Sequence, residues 1–574
     1  MLRRGDLTSL MQRAAQLKRW TVMERLRQQL KKTWQESRAV LRDKGPSQIQ
    51  FWFIALAVGI AAGFAAVGFR LAIEALQGAI YGTDDIAMLH SWARTLPWYF
   101  VLITPILGGL VVGLILDRFT SDGRVRSVAD VIEGAALKEG RVETKEGLAS
   151  AVASLITLSS GGSTGREGPV VHLAATISTK VSNIIRADAI TGRDLLGCAV
   201  AAAVSASFNA PIAGALFALE VILRHFAMHA FAPIVIASMA GTVVSRLYFG
   251  DITEFSLPQM NMLAFYVELP AFMILGLLSG LIAVVLMRTI FWFDDLGTHA
   301  HGRTGMPRWT RPAMSGAMLG ALAIFYPHII GVGYETTTAA LSGNLLLHEA
   351  IVFCILKVIA VAITMAGRMG GGGFSPSLMV GALLGIAFGI VATGIFPDVS
   401  GSPTLYALAG MGAVAAAVMG APISTTLIVF ELTGDWQTGL AVMVAVSLSS
   451  AVSGNLVHRS FFLSQIERRG VHLAAGPQAY LLATFGVINI MRRPNHPRAA
   501  PEERLKAMID EGLYVTDTAT LETAMPLFET TNEVFFPVVN LKDDQMTLVG
   551  ALFQVDALKA YNRALAATAA EEHS

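Results

Sequence analysis

Long apolar runs alternate with short polar segments through most of this chain, and glycine or proline interrupts many of the runs. Several runs are long enough to cross about 30 Å of hydrocarbon as helices; examples are Phe51–Ala66, Phe100–Leu116, Leu263–Met287, Ile351–Met365 and Leu378–Ile395. Helix breaks are tolerated at membrane depth only where the freed backbone faces protein or a water-filled cavity. The pattern predicts an all-α polytopic membrane protein with broken helices.

One part of this pattern occurs twice. In each copy a glycine cluster opens an apolar segment, and an Ala-Pro-Ile sequence opens a second one that leads to a glutamate: Gly161–His172 with Ala201–Glu220, and Gly370–Gly381 with Ala413–Gly434. Pro169 and Pro376 are 207 positions apart, and Pro211 and Pro422 are 211 apart. Repeats with broken apolar segments in matching positions indicate a membrane transport site between the two copies.

The two ends of the chain are more polar than its middle. Residues 1–45 carry 12 Lys/Arg against four Asp/Glu, which predicts a cytoplasmic N-terminus. Both a basic amphipathic helix on the membrane surface and a solvated helix fit this segment. From Pro501 the pattern predicts helix, strand, helix, strand, strand, helix. We divide the chain into a basic N-terminal helix, a transmembrane domain of two halves, a linker and a small α/β domain: 1–49, 50–465 (about 50–250 and 260–465), 466–500 and 501–574.

Composition supports a membrane protein and narrows its chemistry. The 574 residues are 53% hydrophobic and 15% charged, with a mean hydropathy of +0.56, whereas soluble proteins carry about 25% charged residues. The two cysteines, Cys198 and Cys354, stand in apolar surroundings far from any C-x-x-C spacing. We therefore expect buried thiols, and no disulfide, metal site, cofactor or nucleic-acid partner.

The repeated glycine clusters have the chemistry of an anion site. Helix starts present unpaired N–H groups and a partial positive charge, and glycine lets the backbone approach a ligand. Gly161–Pro169 and Gly370–Pro376 each precede an apolar helical segment. Two such starts pointed at one another would bind an anion without a fixed cation. Glu167, inside the first cluster, is a carboxylate that can occupy the same site and so act as a gate.

Four motifs resemble those of the CLC family of chloride channels and proton-coupled chloride transporters. They are GREGP (Gly165–Pro169), GGFSP (Gly372–Pro376), NAPIAGALFALE and GAPISTTLIVFELT, and the resemblance covers roughly residues 50–465. It implies two inverted halves of broken, tilted helices and a homodimer with one anion pathway in each subunit.

The resemblance also implies roles for individual residues. Glu167 corresponds to the gating glutamate of the family. The backbone amides of Gly373 and Phe374 correspond to those that coordinate chloride. Gly165 and Arg166 belong to the same anion-binding motif, although Arg166 fits either an electrostatic role at the pore entry or a structural pair.

Three positions depart from the family pattern. Ser127, in RSVAD, falls where the family has an anion-coordinating serine within GSGIP, but the flanking glycines and proline are absent. Val221 replaces the second acidic residue of the proton-coupled members. Phe462 replaces the pore tyrosine, which keeps the aromatic wall and removes the hydroxyl donor. Glu220 and Glu431, at matching repeat positions, are expected to hold helices together rather than to carry protons.

The C-terminal stretch resembles a CBS domain through the sequences ATLETAMPLF, FFPVVN and LVGALFQVDAL. CBS modules work in pairs, and one full copy is visible here, with a degenerate fragment at Gly486–Arg493. We therefore expect a structural or dimer-stabilising role and do not predict nucleotide binding.

A hydrolase is the alternative from another class. Gly161–Gly165 spells G-x-S-x-G, and His172 and His225 are nearby in sequence. The nucleophile elbow needs a preceding strand, whereas residues 148–158 predict an alanine-rich helix. A hydrolase also leaves the second glycine cluster unexplained.

The sequence thus predicts a glutamate-gated chloride channel, with an H+/Cl− antiporter as the alternative and an intramembrane serine hydrolase as a remote one. Related anions such as bromide and nitrate should also pass. The resemblance to shorter bacterial relatives suggests an electrical shunt for proton extrusion during acid stress. The expected location is a bacterial inner membrane, with both termini in the cytoplasm.

Overall fold

The computed structural model describes residues 47–82, 88–226, 228–251, 265–471, 473, 482, 485–542 and 545–572. The basic N-terminal helix expected within residues 1–49 lies almost wholly outside these ranges. The first described helix begins at Gln48, where the Ser47 hydroxyl accepts a hydrogen bond from the backbone N–H of Gln50.

The helices of the first half follow the predicted apolar runs. They are α1 (Gln48–Tyr81), α2 (Leu89–Thr95), α3 (Trp98–Phe119), α4 (Val128–Leu137), α5 (Thr144–Ser159), α6 (Glu167–Ile185), α7 (Ala189–Phe208), α8 (Pro211–Phe217, continued as a π-helix over Ala218–Leu223) and α9 (Met228–Phe249).

The second half repeats this order. Its helices are α10 (Phe265–Thr304), α11 (Thr310–Phe325), α12 (Tyr334–Leu341), α13 (Leu347–Ala366), α14 (Phe374–Ile395), α15 (Pro403–Met419), α16 (Pro422–Thr433) and α17 (Trp436–Leu456), followed by the short α18 (Phe461–Glu467). Helices α5 to α9 therefore match α13 to α17 in order, and the predicted repeat is present.

Within the described residues, eight helical segments are long and apolar enough to cross a membrane. Others, such as α16 (12 residues) and α15 (17 residues), are shorter than a full span. Short helices leave their polar ends inside the protein, so their N–H and C=O groups must find partners there. Helix starts are consequently available at depth for binding.

Small residues let the central helices approach closely. At Gly381 in α14 a side chain would collide with the backbone of Gly410 in α15, and Gly385 meets the backbone of Tyr406 in the same way. Contacts of this kind replace hydrophobic burial as the attraction between helices in lipid. The largest apolar core of the described residues, rich in alanine from α7 and α15, extends through both halves.

The C-terminal domain has the predicted order of elements. It contains α20 (Glu502–Asp510), β1 (Val515–Thr516), α21 (Leu521–Thr531), β2 (Phe535–Lys542), β3 (Gln545–Phe553) and α22 (Gln554–Glu572), preceded by α19 (Val487–Ile490). The sheet order is β1-β2-β3, with β1 parallel and β3 antiparallel to β2.

The core of this domain starts earlier than the sequence-based boundary at residue 501. Val487 is buried among Leu521 and Phe536, and the backbones of Arg492 and Ala551 exchange hydrogen bonds of 2.8 and 2.9 Å. The segment assigned to a linker therefore contributes residues 486–492 to the domain.

Candidate functional site

The two glycine clusters meet at the centre of the transmembrane domain. The backbone N–H of Gly165 donates to the carbonyl of Gly372 at 2.8 Å, and the N–H of Gly372 donates to the carbonyl of Gly165 at 2.7 Å. This antiparallel bridge joins the residues just before α6 and α14. Two helix starts from opposite halves are thereby held side by side, as an anion site requires.

Each cluster is also fixed by the helix that precedes the other cluster. Thr364 in α13 accepts a hydrogen bond from the N–H of Ser163 at 3.1 Å, and Thr157 in α5 accepts one from the N–H of Gly370 at 3.1 Å. The donors and acceptors occupy matching repeat positions. The loops that carry the site are therefore braced across the repeat interface.

Glycine is required at two positions by close contacts. A Cβ on Gly165 would lie 2.6 Å from Oε2 of Glu167, and one on Gly371 would collide with the side chain of Thr164. Gly371 also has φ 140°, a conformation that side chains disfavour. The glycines allow the two loops to meet with the Glu167 carboxylate between them.

Glu167 is the first residue of α6, and its carboxylate reaches across to the start of α14. Oε1 accepts a hydrogen bond of 2.5 Å from the hydroxyl of Ser375, and Nε of Arg166 lies 4.0 Å from the same oxygen. The side chain is 6% exposed. A carboxylate in this position uses a donor from the helix start that would otherwise face a bound anion.

A small, narrow cavity lies beside this carboxylate, and we call it the Glu167 cavity. Most of its lining is apolar. It is lined by Val128, Glu167, Gly168, Val171, Val204, Phe208, Phe217, Gly372, Gly373, Phe374, Met419 and Phe462. The structure thus brings Glu167, Gly373, Phe374 and Phe462 together, four of the residues predicted from sequence, and Gly165 lies directly behind them.

Aromatic rings form one wall of the Glu167 cavity. The Phe374 ring lies 4.9 Å from the Phe208 ring, while Phe462 borders the cavity from α18. Phe461, its neighbour, stacks on Phe291 at 5.5 Å and is not among the lining residues. Of the two adjacent rings, Phe462 is therefore the one that lines this cavity.

Ser127 lies outside this cavity, although its neighbour Val128 lines it. The N–H of Ser127 donates to Oδ2 of Asp130 at 2.7 Å, because Asp130 is placed in the first turn of α4. Ser127 instead lines a second cavity, the Arg368 cavity, with Arg124, Arg368, Arg468 and Arg469. Its backbone amide is already engaged, so only its hydroxyl is left for an anion.

Val221 and Glu220 lie away from the cavity, in the π-helical end of α8. Val221 is buried in the apolar core. Glu220 accepts hydrogen bonds from the N–H groups of Ile423 (3.0 Å) and Ser424 (2.8 Å), at the start of α16. Glu431 does the same for Ile212 (3.0 Å) and Ala213 (2.8 Å), at the start of α8. Each glutamate caps a helix of the other half, so both hold helices together as expected.

Arg166 borders a third cavity, which we call the Tyr334 cavity. Its guanidinium donates to the carbonyl of Ser207 at 3.1 Å and lies 5.5 Å from the Tyr334 ring. The cavity is lined by Arg70, Ile73, Gln77, Leu89, His90, Arg166, His328, Ile330, Val332, Gly333, Tyr334, Glu335 and Thr336. Arg166 thus connects Glu167 with an arginine- and histidine-lined space.

The two histidines of the Tyr334 cavity, His90 and His328, lie outside the membrane-spanning helices, and their ring centroids are 4.4 Å apart with the rings tilted by 43°. Burial lowers the pKa of His90 to about 4, with a further lowering by Arg94. Burial also lowers the pKa of His328 to about 4, aided by the charges of His90 and Arg94. Both rings are neutral at pH 7, so the positive charges of this cavity are those of its arginines.

The nucleophile elbow is not formed at Ser163. The segment before Gly161 is the helix α5, not a strand, and Ser163 is fully buried with its N–H bonded to Thr364. His172 packs against Gly147, and His225 follows the π-helical end of α8. Nothing in this arrangement offers the strained turn that a serine nucleophile needs.

Sequence reasoning missed two residues near the site. Ser375 is the direct donor to Glu167, and its place within GGFSP was a usable signal. Lys357 is fully buried in α13; it is a lone charge inside the apolar run Ile351–Met365, which is also readable from the sequence.

Two broken-helix halves that meet at paired helix starts define a membrane ion-transport protein. Residues 108–454 match the family model described as voltage gated chloride channel. The chain therefore belongs to this family, whose members are ion channels and transporters.

Individual relatives agree with this placement. The chain is 31% identical to a ClcB-like protein of Ralstonia nicotianae over 396 residues, covering 68% of this chain and 91% of the relative. It is 30% identical over 420 residues to the voltage-gated ClC-type chloride channel ClcB of Escherichia coli, covering 71% and 97%. Among solved structures, a slow cyanobacterial Cl−/H+ antiporter has the same fold, with a TM-score of 0.65 and 22% identity over 74% of this chain and 98% of that one.

Proposed function

We propose that this protein is a chloride channel in which Glu167 is the gate. The observation that carries the proposal is the position of the Glu167 carboxylate, which lies between the starts of α6 and α14 and is bonded to Ser375. An anion bound by the amides of Gly373 and Phe374 would compete with this carboxylate for the same positive helix ends. Protonation or displacement of Glu167 then opens the route.

Passive conduction is favoured over obligatory exchange. A proton-coupled mechanism needs a relay to bring protons to Glu167 through an apolar region. Val221 cannot bind a proton, and both carboxylate oxygens of Glu220 accept hydrogen bonds from the start of α16. The H+/Cl− antiporter is kept as the second candidate because a solved protein with this fold is described as one.

The test is flux from liposomes that contain the purified protein, with chloride and protons measured together. Chloride efflux should rise as external pH falls, because protonated Glu167 no longer competes with the anion. Glu167→Ala and Glu167→Gln should conduct at all pH values. Ser375→Ala should shift the response toward higher pH, because it removes the donor that holds the carboxylate in place.

Asp398→Asn is a matched control, because Asp398 is an exposed acid beyond the far end of α14. It should keep the wild-type pH response. A folded Glu167→Ala protein that retains this response would refute the gate. Sustained uphill proton movement driven by a chloride gradient, with the membrane potential clamped, would show that the protein is an antiporter and not a channel.

Assembly and location are part of the same proposal. Ile212 in α8 and Ile423 in α16 are matching repeat positions, and both are about half exposed. We place a homodimer contact on this apolar face, in an inner membrane with both chain termini in the cytoplasm. Conducting chloride there would discharge the voltage left by proton export in acid stress. Bromide and nitrate should share the route, since helix-end donors do not select by size.

A further inference from the structure

The start of α4 lies where three cavities of the transmembrane domain meet. Ser127 lines the Arg368 cavity, and Val128 lines the Glu167 cavity. Asp130, in the first turn of the helix, lines a fourth cavity, which we call the His172 cavity. That cavity is lined by Arg126, Asp130, Glu133, Lys138, Val142, Glu143, His172, Arg469 and Val471. A side chain at this helix start can therefore act on more than one of these spaces.

The carboxylate of Asp130 holds two groups that could bind an anion. Its Oδ2 accepts a hydrogen bond of 2.7 Å from the N–H of Ser127, and its Oδ1 lies 2.7 Å from Nη1 of Arg469. Arg469 borders both the Arg368 cavity and the His172 cavity. A carboxylate that takes a helix-start N–H and a guanidinium occupies donors that a mobile anion would use. The arrangement parallels that of Glu167 with Ser375.

Asp130 also has a structural role at this helix start. Its bond to the Ser127 N–H is half of a capping box, which stabilises the first turn of α4. A capping box needs only an acceptor at this position, and Glu or Gln is the usual residue. It does not require a contact with Arg469 or a cavity beside the carboxylate. These two further features are the ones that point to a role in binding.

Arg126 and Arg469 both lie beside Asp130, but they depend on it differently. Arg126 is 3.7 Å from Oδ1 of Asp130, and it also pairs with Asp122 at 3.0 Å and with Glu146. Within the described residues, the ion pair of Arg469 is with Asp130 alone. Movement of the Asp130 carboxylate would therefore leave Arg126 neutralised and Arg469 with a charge that an anion can take.

His172 supplies a second partner for a carboxylate that has moved. It is 1% exposed and lines the same cavity, and within the described residues its Nδ1 has no hydrogen-bond partner. A neutral imidazole carries a proton on one of its two nitrogens, so Nδ1 can donate to a carboxylate. The cavity has a volume of about 270 Å³, which is room for several water molecules or for the turned side chain. Its other acids are paired, since Lys138 lies 3.2 Å from Glu133 and 3.5 Å from Glu143.

We propose that Asp130 is a positioning residue of the anion route, which withholds the Ser127 amide and Arg469 until an anion displaces its carboxylate toward His172. The displacing anion is a small monovalent one, such as chloride or bromide, and it enters through the Arg368 cavity. Its charge repels the carboxylate, and the freed amide and guanidinium bind it. This inference rests on the proposed chloride transport and adds a second mobile carboxylate to that of Glu167.

The chloride dependence of flux from liposomes separates this role from a structural one. Asp130→Ala removes the competitor, so the half-maximal chloride concentration should fall roughly tenfold, equivalent to about 1.4 kcal/mol. Asp130→Asn should give a smaller fall, about threefold, because its amide oxygen can still cap Ser127 while Arg469 is released. Asp130→Glu keeps both the cap and the charge and should preserve the wild-type dependence. A lower melting temperature in Asp130→Ala with an unchanged chloride dependence would overturn the proposal.

Glu133→Gln is the matched control, because Glu133 lies one turn further along α4, lines the same cavity and pairs with Lys138. It removes the same charge without a contact to Ser127, so the half-maximal chloride concentration should stay at the wild-type value. A fall as large as that in Asp130→Asn would show a general effect of charge and refute a specific role of Asp130.

A double-mutant cycle tests the part played by His172. His172→Leu removes the second partner of the carboxylate, so the half-maximal chloride concentration should rise roughly threefold, whereas His172→Gln keeps a donor and should rescue the wild-type value. In the Asp130→Ala background, His172→Leu should have no further effect. An undiminished effect in that background would refute the transfer of the carboxylate to His172. Size-exclusion profiles verify that each variant is folded.

Bromide crystallography on the unmodified protein decides the matter even if these variants fail to fold. At saturating bromide, anomalous density should appear between the Ser127 amide and Arg469, with the Asp130 carboxylate turned toward Nδ1 of His172. Density beside Phe374, with Asp130 still bonded to Ser127, refutes this inference and leaves the proposed function standing. Density at neither place, together with no chloride flux, overturns both.

Discussion

Phe462 and Phe461 show how the position of one ring assigns its role. The two are adjacent in sequence, and both are buried, but Phe462 borders the Glu167 cavity whereas Phe461 is stacked on Phe291. The family resemblance placed the pore tyrosine at Phe462, with Phe461 adjacent. The cavity distinguishes the two rings, because Phe462 faces the space beside Glu167.

We predict that Phe462→Tyr tightens chloride binding. A hydroxyl added at the cavity wall supplies one donor to the anion, and such a bond contributes about 1 kcal/mol, or roughly fivefold in affinity. Calorimetric titration with chloride should show this increase, and flux should fall because release becomes slower.

Phe461→Tyr is the matched control for this change. Its ring is stacked on Phe291 and is not among the residues that line the cavity, so chloride affinity should change less than in Phe462→Tyr. An equal gain in both variants would mean that the effect is not local to the cavity.

The sequence could predict those site residues that belong to a recognisable local motif. Glu167 follows from the doubled glycine clusters, because helix starts and glycines are local features, whereas Gly373 and Phe374 follow only from the family resemblance. The engagement of the Ser127 amide by Asp130 could not be foreseen from GSGIP-like spacing, since it depends on the rotamer of one side chain. The hydrogen bonds that Lys357 donates to backbone carbonyls reach a turn nearly thirty residues earlier and require the folded chain.

At the scale of elements, α8 and α16 cap each other. Glu220, at the end of α8, caps the N-terminus of α16, and Glu431 in α16 caps the N-terminus of α8. Both helices begin with proline at the first position, which leaves the following N–H groups to be capped by another residue. The paired spacing in the sequence predicted a shared structural role for these glutamates. It could not tell that each one reaches across to the opposite half.

We predict that Glu220→Ala and Glu431→Ala each lower the free energy of unfolding by about 2 kcal/mol, because the charge-assisted hydrogen bonds to a partly exposed helix start are lost. Thermal unfolding in detergent measures the change. Chloride flux per folded molecule should be nearly unaffected, since neither carboxylate touches the Glu167 cavity.

Glu502→Ala serves as the control, because Glu502 lies on the surface of the C-terminal domain and pairs only with Lys506 in the next turn. Its melting temperature should match the wild type. Loss of flux without loss of stability in Glu220→Ala would instead assign that residue to proton transfer.

At the scale of the whole molecule, the C-terminal domain contacts the transmembrane domain through charge. Glu522, at the start of α21, is 2% exposed. Its Oε1 lies 4.0 Å from Nη1 of Arg224, which follows the π-helical end of α8. The sequence predicted the order of elements in this domain. It could not predict the docking, which depends on two residues about three hundred positions apart.

We predict that Glu522→Lys loosens this docking, because it places two positive charges together in a buried contact, at a cost of about 2–5 kcal/mol. Limited proteolysis should release the C-terminal domain roughly tenfold faster than in the wild type. The double variant Arg224→Glu with Glu522→Lys restores opposite charges and should recover much of the protection. Release at the wild-type rate in the single variant would show that apolar contacts alone hold the domain.

The symmetry of the hydrogen bonds around the site indicates how the chain evolved. Gly165 pairs with Gly372. Thr364 accepts a hydrogen bond from Ser163, and Thr157 accepts one from Gly370. The two glutamates each cap a helix of the opposite half. Every one of these contacts is reciprocal under a two-fold rotation. A half-length ancestor could have formed the complete set with a second copy of itself. Gene duplication and fusion would then have joined two subunits that already worked as a pair, after which only one copy needed to keep the glutamate of the gate.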